Sequence, residues 1–391
     1  MDPIKNPFSP GAGAPPPELA GRQPILDKAK IMLERLKAGR SEKSFLLVGL
    51  RGVGKTVLLS EIAHLAESLG YKAIFIEAHE KKTLTALLLP SLRDLLFQLD
   101  RMRNIGQKVK RAFRVFKSFL NSVKIKFENI EITLDVDPET GTADSGDLES
   151  DLPALLEIIA EAALDCHVAI VIIIDELQYL SENELSALIM AIHRVIQKKL
   201  PIAFVGAGLP LLVGLTGKSK SYSERLFDFP EIGPLQKIDA IAALRKPALE
   251  QGINFTDDAL DEILFQTKGY PYFIQEWGYH AWNAAKVSPI NLETIKQATK
   301  ISIDRLDKNF FRVRFDRLTP REKEYLLALA ILGGGVQRSG DIAEKLGVKP
   351  QSIAPIRNSL IKKGMIYSPA HGNTDFTVPL FDDFIKRVMQ K

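Results

Sequence analysis

Between Gly49 and Thr56 the chain spells G-x-x-x-x-G-K-[ST], inside the run LLVGLRGVGKTVLL. Glycines let backbone amides close around phosphate oxygens, and a helix that follows points its positive end at them. Gly49, Gly52, Val53, Gly54, Lys55, Thr56 and Val57 are therefore the expected contacts to a nucleoside triphosphate, taken as ATP. Lys55 pairs with the β- and γ-phosphates in this reading, and Thr56 holds Mg2+. A lysine between two apolar runs is tolerable because the ligand is an anion.

A second half of the same chemistry lies in VIIIDELQYL. Asp175, at the end of an apolar strand, is placed to bind the water shell of Mg2+, and Glu176 beside it to orient the attacking water. A "DE" after an apolar run is also a common helix N-cap. Arg225, in SKSYSERLFDFPEIGPL, reads either as an arginine that reaches the γ-phosphate of a neighbouring subunit or as a surface residue paired with Glu224 or Asp228. The stretch PIAFVGAGLP ends in small residues without a polar side chain, so a γ-phosphate sensor there must be a backbone group or be missing.

The elements that must hold these residues alternate. RQPILDKAKIMLERLKAGR has helical spacing with Gly39 as a stop; SFLLVG is a short strand; KTVLLSEIAHLAESLG is a helix closed by Gly70; YKAIFIEA is the next strand. Strand, turn, helix, strand is the βαβ unit of a parallel sheet, so the fold class is α/β. VAIVIIIDELQYL, SENELSALIMAIHRVIQ and PIAFVGAG continue the alternation. The expected division is a proline-rich arm over residues 1–18, an α/β core over 19–237 carrying an insertion at about 84–151, a helical block over 238–317 and a final block over 318–391.

The insertion is a charge dipole. Nine basic and no acidic residues fall between Arg101 and Lys126, then nine acidic and no basic residues between Phe127 and Asp151. Pairing of the two halves competes with a phosphate track. Phe113, Phe116 and Phe119 share the apolar face of a helix and read first as core, second as base-stacking groups. Val123, Ile125 and Phe127, then Ile130, Ile132, Leu134 and Val136, alternate with polar residues as a hairpin or bulged strand does.

The final block has three short helical patterns, TPREKEYLLALAIL, RSGDIAEKLG and KPQSIAPIRNSLIKKG, followed by a hairpin, MIYSPAHGNTDFTVPLF. Three helices with a trailing hairpin make a winged helix. The third helix carries Ser352, Arg357, Asn358, Lys362 and Lys363, with no acid between Lys349 and Gly364. Cations for phosphate and short polar groups for base edges suit a helix in the major groove of double-stranded DNA, and His371 or Asn373 would reach a minor groove from the wing. Winged helices that dock proteins are the competing reading.

The whole chain fits this picture. At 391 residues it exceeds one ordinary core, and 46% hydrophobic with 26% charged residues is globular composition. No long uncharged apolar run and no apolar leader core occurs, which excludes a spanning helix and an export signal from the expectation. One cysteine, Cys166, fits a reducing cytoplasm. The net charge of +4 does not by itself argue for a nucleic-acid partner.

Taken together, the glycine turn, the IIIDE strand, the LAGRQPIL helix start, the helical block and the winged helix resemble AAA+ ATPases of the origin-recognition and initiator-like group. The resemblance implies a P-loop NTPase fold with a helical lid and C-terminal winged helix, ATP hydrolysis to ADP and phosphate, and weak adenine-side contacts from Gly21 and Arg22. The lid stretch TKGYPYFIQEW offers Lys268 where that group has a sensor arginine, and its GYP version is similar to signal-transducing ATPases of the STAND lineage, which implies slow turnover. The expected function is a cytoplasmic switch ATPase, oligomeric when nucleotide is bound, that couples nucleotide state to DNA-linked assembly through the winged helix. The alternative is a STAND-like signalling ATPase whose winged helix and insertion bind a protein effector.

Overall fold

The computed structural model describes residues 1–11, 13–103, 106–123, 136–370 and 372–390. Five parallel strands form its centre: β1 (Ser44–Val48), β2 (Tyr71–Glu77), β3 (Ala169–Asp175), β4 (Ile202–Gly208) and β5 (Phe227–Asp228), in spatial order β2-β3-β4-β1-β5. All seven residues of β3 are buried, since strands flank both its edges and helices cover both faces. Side chains alternate between those faces. Phe45, Leu47, Val171, Ile173 and Val205 meet α1 (Gln23–Lys37) and α2 (Lys55–Ser68); Leu46, Ile172, Ile174 and Phe204 meet the opposite layer.

That opposite layer is built from α3 (Leu84–Arg103), α4 (Gln107–Ser122), α5 (Leu148–Asp165) and α6 (Glu182–Gln197). Phe116 and Phe119 are fully buried and Phe113 nearly so, which makes the aromatic row core. Helix α5 has no counterpart in the sequence reading, which passes from the acidic segment straight to β3. Most of α5 is apolar, and Asp147 caps its N-terminus. The basic and acidic halves of the insertion do meet: Arg111 pairs with Glu139 at 3.0 Å, and Lys117 donates to the Val136 carbonyl at 2.6 Å. The expected hairpin at 123–136 falls largely on residues 124–135, outside the described residues.

Short helices α7 (Leu212–Ser219) and α8 (Ser223–Leu226) lead to β5, and the helical block follows as α9 (Lys237–Glu250), α10 (Asp257–Thr267), α11 (Pro271–Ala284) and α12 (Leu292–Arg305). A π-helical turn, Leu306–Phe311, and the single turn α13 (Arg312–Phe315) connect it to the last block. There α14 (Pro320–Leu332), α15 (Ser339–Lys345) and α16 (Pro350–Lys362) precede β7 (Ile366–Tyr367) and β8 (Asn373–Phe376), so the expected order of three helices and a hairpin is observed. The hairpin gains a third antiparallel strand, β6 (Gln337–Arg338), and a closing helix, α17 (Phe381–Met389).

The helical block and the last block share one apolar core. Phe311 stacks on Phe381 and Phe384, with ring centres 5.7 and 5.3 Å away. The N-terminal arm joins that core: Phe8 is buried against Gly278, where a Cβ would stand 2.7 Å from its ring. Among the described residues no helix is long and apolar enough to cross a membrane.

Candidate nucleotide site

The glycine turn joins β1 to α2 at the C-terminal edge of the sheet, and β3 ends beside it. Gly52 and Gly54 adopt φ +79° and +90°, backbone that side-chain-bearing residues rarely take. Gly49 is fixed by packing instead, since a Cβ would meet the Ile232 carbonyl at 2.1 Å. Val53 is buried under the turn, and Val57 sits half-buried in the first turn of α2.

Lys55 points into the turn. Its buried ammonium donates to the Gly49 and Leu50 carbonyls, both at 2.9 Å. Burial pushes its pKa down, against the pull of Glu176 and Asp175. The Thr56 hydroxyl donates to Asp175 Oδ2 at 2.6 Å, while Asp175 Oδ1 accepts the Glu176 N–H at 2.8 Å. Burial raises the Asp175 pKa, only partly offset by those hydrogen bonds. A hydroxyl and a carboxylate side by side are the hard oxygen donors that Mg2+ takes, and a buried lysine ammonium beside open backbone amides is an anion's partner. The residues present fit both groups.

Glu176 sits at φ +54°, so the chain turns sharply after β3 into a single 3-10 turn, Leu177–Tyr179. Its carboxylate takes a hydrogen bond from Gln178 and lies 3.8 Å from the Arg51 guanidinium. The glutamate stands at the N-cap position of that turn but makes no side-chain capping bond; Ser181 caps α6, with Glu184 completing a capping box. Arg22 donates to the Val53 and Gly233 carbonyls at 3.1 and 2.6 Å and lines the cleft, with its pKa lowered by burial. Gly21, at φ +68°, packs on Asp239.

Several cleft residues escape the sequence reading. Arg51 occupies one of the motif's free positions; its side chain donates to the Tyr179 hydroxyl at 2.9 Å and its backbone N–H to the Thr377 carbonyl at 3.1 Å. Tyr272, at the start of α11, donates its N–H to the Gly52 carbonyl at 3.2 Å. Arg314 enters from α13, lying over the Phe310 ring at 4.2 Å and donating to the Phe310 carbonyl. Burial, then the nearby Arg51, lowers its pKa, and among the described residues no carboxylate pairs with it. The arm closes the mouth, with Ser9 N–H on Gln275 and Gly13 against Thr56. Glycine and proline content gave no signal for that docking.

Other expected residues lie elsewhere. Lys268 caps α10 at the surface and faces Asp383 at 3.5 Å, so it does not stand in the cleft. Arg225 is exposed on α8 and away from the cleft; Asp228, its suggested partner, pairs with Lys28 instead. On α16, Ser352, Asn358 and Lys362 are exposed. Arg357 is engaged by the hairpin, through the Thr374 hydroxyl (2.9 Å), the Ser368 hydroxyl and the Asn373 carbonyl (both 2.7 Å). Lys363 pairs with Glu322 at 2.7 Å. His371 lies outside the described residues.

Residues 18–205, which contain this turn and the β3 carboxylates, match the family described as AAA ATPase domain. The fold is that of a P-loop AAA+ ATPase. Residues 308–385 match a second family, described only as a domain of unknown function. The chain aligns with the Walker-type ATPase of Pyrococcus abyssi at 16% identity and TM-score 0.55, over 94% of this chain and 96% of that one. Cdc6p from Pyrobaculum aerophilum aligns at 17% identity and TM-score 0.48, covering 100% and 98% of the two chains. The Aeropyrum pernix Orc1 protein in complex with DNA aligns at 16% and 0.46, covering 95% and 93%. No curated protein matches.

Proposed function

We propose that this AAA+ protein is a Mg2+-dependent ATPase that works as a switch, with the block at 318–391 acting as a winged helix whose placement responds to nucleotide. The observation that carries the reading is the hydrogen bond from the Arg51 N–H, inside the phosphate-binding turn, to the Thr377 carbonyl of the last block. A contact between the turn and that block gives nucleotide a direct lever on it.

Lys55 and the turn's amides bind the triphosphate, and Thr56 with Asp175 holds the metal. Mg2+, when bound, neutralises charge that develops on the phosphoryl oxygens. Glu176 takes the proton of the attacking water as the bond from the γ-phosphorus to the β-side oxygen breaks, giving ADP and phosphate. Arg51 and Arg314 bring further positive charge to the cleft, Arg314 in the sensor role that Lys268 does not fill. Exposed Arg225 suits a role toward a second copy. The proposed units are the arm (1–18), the core (19–237), the lid (238–317) and the winged helix (318–391).

The test is hydrogen exchange of residues 364–378 in the full chain, with and without a slowly hydrolysed ATP analogue and Mg2+. A nucleotide-dependent change in protection supports the lever; identical protection overturns it. DNA-linked output is checked by duplex binding across a salt series, where micromolar affinity that falls steeply with salt is expected. A protein-directed output is the second reading, favoured by the internal engagement of Arg357 and Lys363, which leaves Lys362 of α16 and Lys349 at its N-cap as the exposed cations there. Absence of duplex binding at low salt selects it.

A further inference from the structure

The end of β4 carries small residues without a polar side chain, and the turn that follows β3 lies against it. There Gln178, two residues past Glu176, bridges the two. Its Oε1 accepts the Leu209 N–H at 3.0 Å, just past the end of β4, and its Nε2 donates to Glu176 Oε2. One amide side chain therefore ties the Glu176 carboxylate to the backbone of β4.

The sequence of β4 makes sense only around that link. A Cβ on Gly208 would stand 2.8 Å from Gln178 Oε1, and one on Gly206 would stand 2.3 Å from Leu177 Cδ1. The small residues are what let the 3-10 turn lie flat on the strand. Glu176 itself is in left-handed backbone, a conformation that persists in a non-glycine residue only when its surroundings hold it. Leu177 is fully buried, so the turn is pinned beneath while Gln178 fixes it from the side.

We propose that Gln178 is a positioning residue for Glu176, holding its carboxylate at a fixed place relative to β4 so that it meets the attacking water in one geometry. The proposal rests on the ATPase reading above. Arg51, Lys55 and Asp175 also face Glu176, but each is charged and each has phosphate or metal to serve once ligands arrive. Gln178 is neutral and anchored to backbone, so its hold does not change when those charges are re-partnered.

The experiment compares the full chain with Gln178→Ala, Gly208→Ala, the double variant and Glu176→Gln, measuring kcat, KM, affinity for an ATP analogue and exchange of the Leu209 amide. In Gln178→Ala, kcat is expected to fall by roughly 10²-fold, the size seen when a catalytic group is displaced by about 1 Å. KM and analogue affinity stay within about twofold, and the Leu209 amide exchanges faster because it has lost its acceptor. Gly208→Ala alone should reproduce the kcat loss by pushing Gln178 away. In the Gln178→Ala background it should add little, a non-additivity that a general loss of folding would not give.

Wild-type kcat in Gln178→Ala, with Glu176→Gln inactive, overturns the positioning role and leaves the ATPase reading intact. Additive losses in the double variant also overturn it, because Gly208 would then act through something other than Gln178. Full turnover by Glu176→Gln removes Glu176 as the base and the proposal with it; no turnover by the unmutated chain removes the ATPase reading itself.

Discussion

The two walls of the nucleotide cleft are built on different terms. The core wall, from Gly49 to Thr56 with Asp175 and Glu176, is assembled where the ends of β1 and β3, with β4 between them, meet one helix start, and its partners are mostly backbone groups a few residues away. The opposite wall brings Tyr272, Arg314 and the Thr377 carbonyl to the same turn from more than 200 residues along the chain. The first wall is rigid because the sheet over-determines it. The second is held by few bonds, including two backbone hydrogen bonds to Arg51 and Gly52, so it is the wall that ligand binding is able to move.

The sharpest way to break this comparison is to damage chemistry without damaging either wall. Glu176→Gln keeps the shape and removes the base, so kcat is expected to fall by roughly 10²- to 10⁴-fold with analogue affinity retained. Steady-state turnover beside equilibrium binding reads both numbers. A variant that still turns over ATP at the wild-type rate would mean that Glu176 is not the base that activates the water.

Next in size is the firmness of the second wall. Glu322 caps α14 and clasps α16: burial would raise its pKa, but Lys363, the Thr319 N–H and the Ser359 hydroxyl outweigh this and bring it to about 2 from 4.5. Because the folded value lies below the unfolded one, the clasp stabilises fully above pH 4.5 and its contribution is lost as pH falls toward 2. Thermal unfolding followed from pH 6 to pH 3 should show Glu322→Gln losing less than wild type over that window. Parallel slopes for the two proteins would show that the clasp does not anchor the block.

Lys55→Ala tests the core wall as an anion site. Removing a charge-assisted donor worth about 1.5–3 kcal/mol should weaken ATP-analogue binding by on the order of 10²-fold, with thermal stability in the absence of ligand little changed. Unchanged affinity would overturn the assignment of the glycine turn.

The same contrast explains what the sequence revealed. The core wall was legible because its chemistry is written in consecutive residues: glycines at fixed spacing, then lysine and threonine, and a carboxylate pair closing an apolar strand. The parallel sheet followed from the same alternation. Gln178 was in plain view within DELQYL, but its role depends on the Leu209 amide of another strand, which no local spacing announces. Helix α5 was passed over because its start, LESD, is acidic like the segment before it and its remaining run is too apolar to show a face. The docking of the arm turns on one buried phenylalanine, Phe8, meeting Gly278 across the chain. On α16 composition suggested free cations, whereas the fold spends Arg357 on the hairpin and Lys363 on Glu322.

The smallest expected effect is also the one that asks whether the second wall binds nucleotide at all. Arg314 has its charge buried against Phe310 and near Arg51, an arrangement that is unfavourable until an anion arrives. If triphosphate supplies that anion, Arg314→Ala should weaken ATP-analogue binding by roughly tenfold, about 1.4 kcal/mol, and weaken ADP binding less. The ligand-free protein should be little changed in stability, because the loss of a cation–π contact and of the bond to the Phe310 carbonyl is offset by removal of a half-buried charge that no described carboxylate pairs. Equal losses for ATP and ADP would place Arg314 away from the γ-phosphate. No loss for either would leave the core wall alone as the nucleotide site and confine the second wall to closing over it.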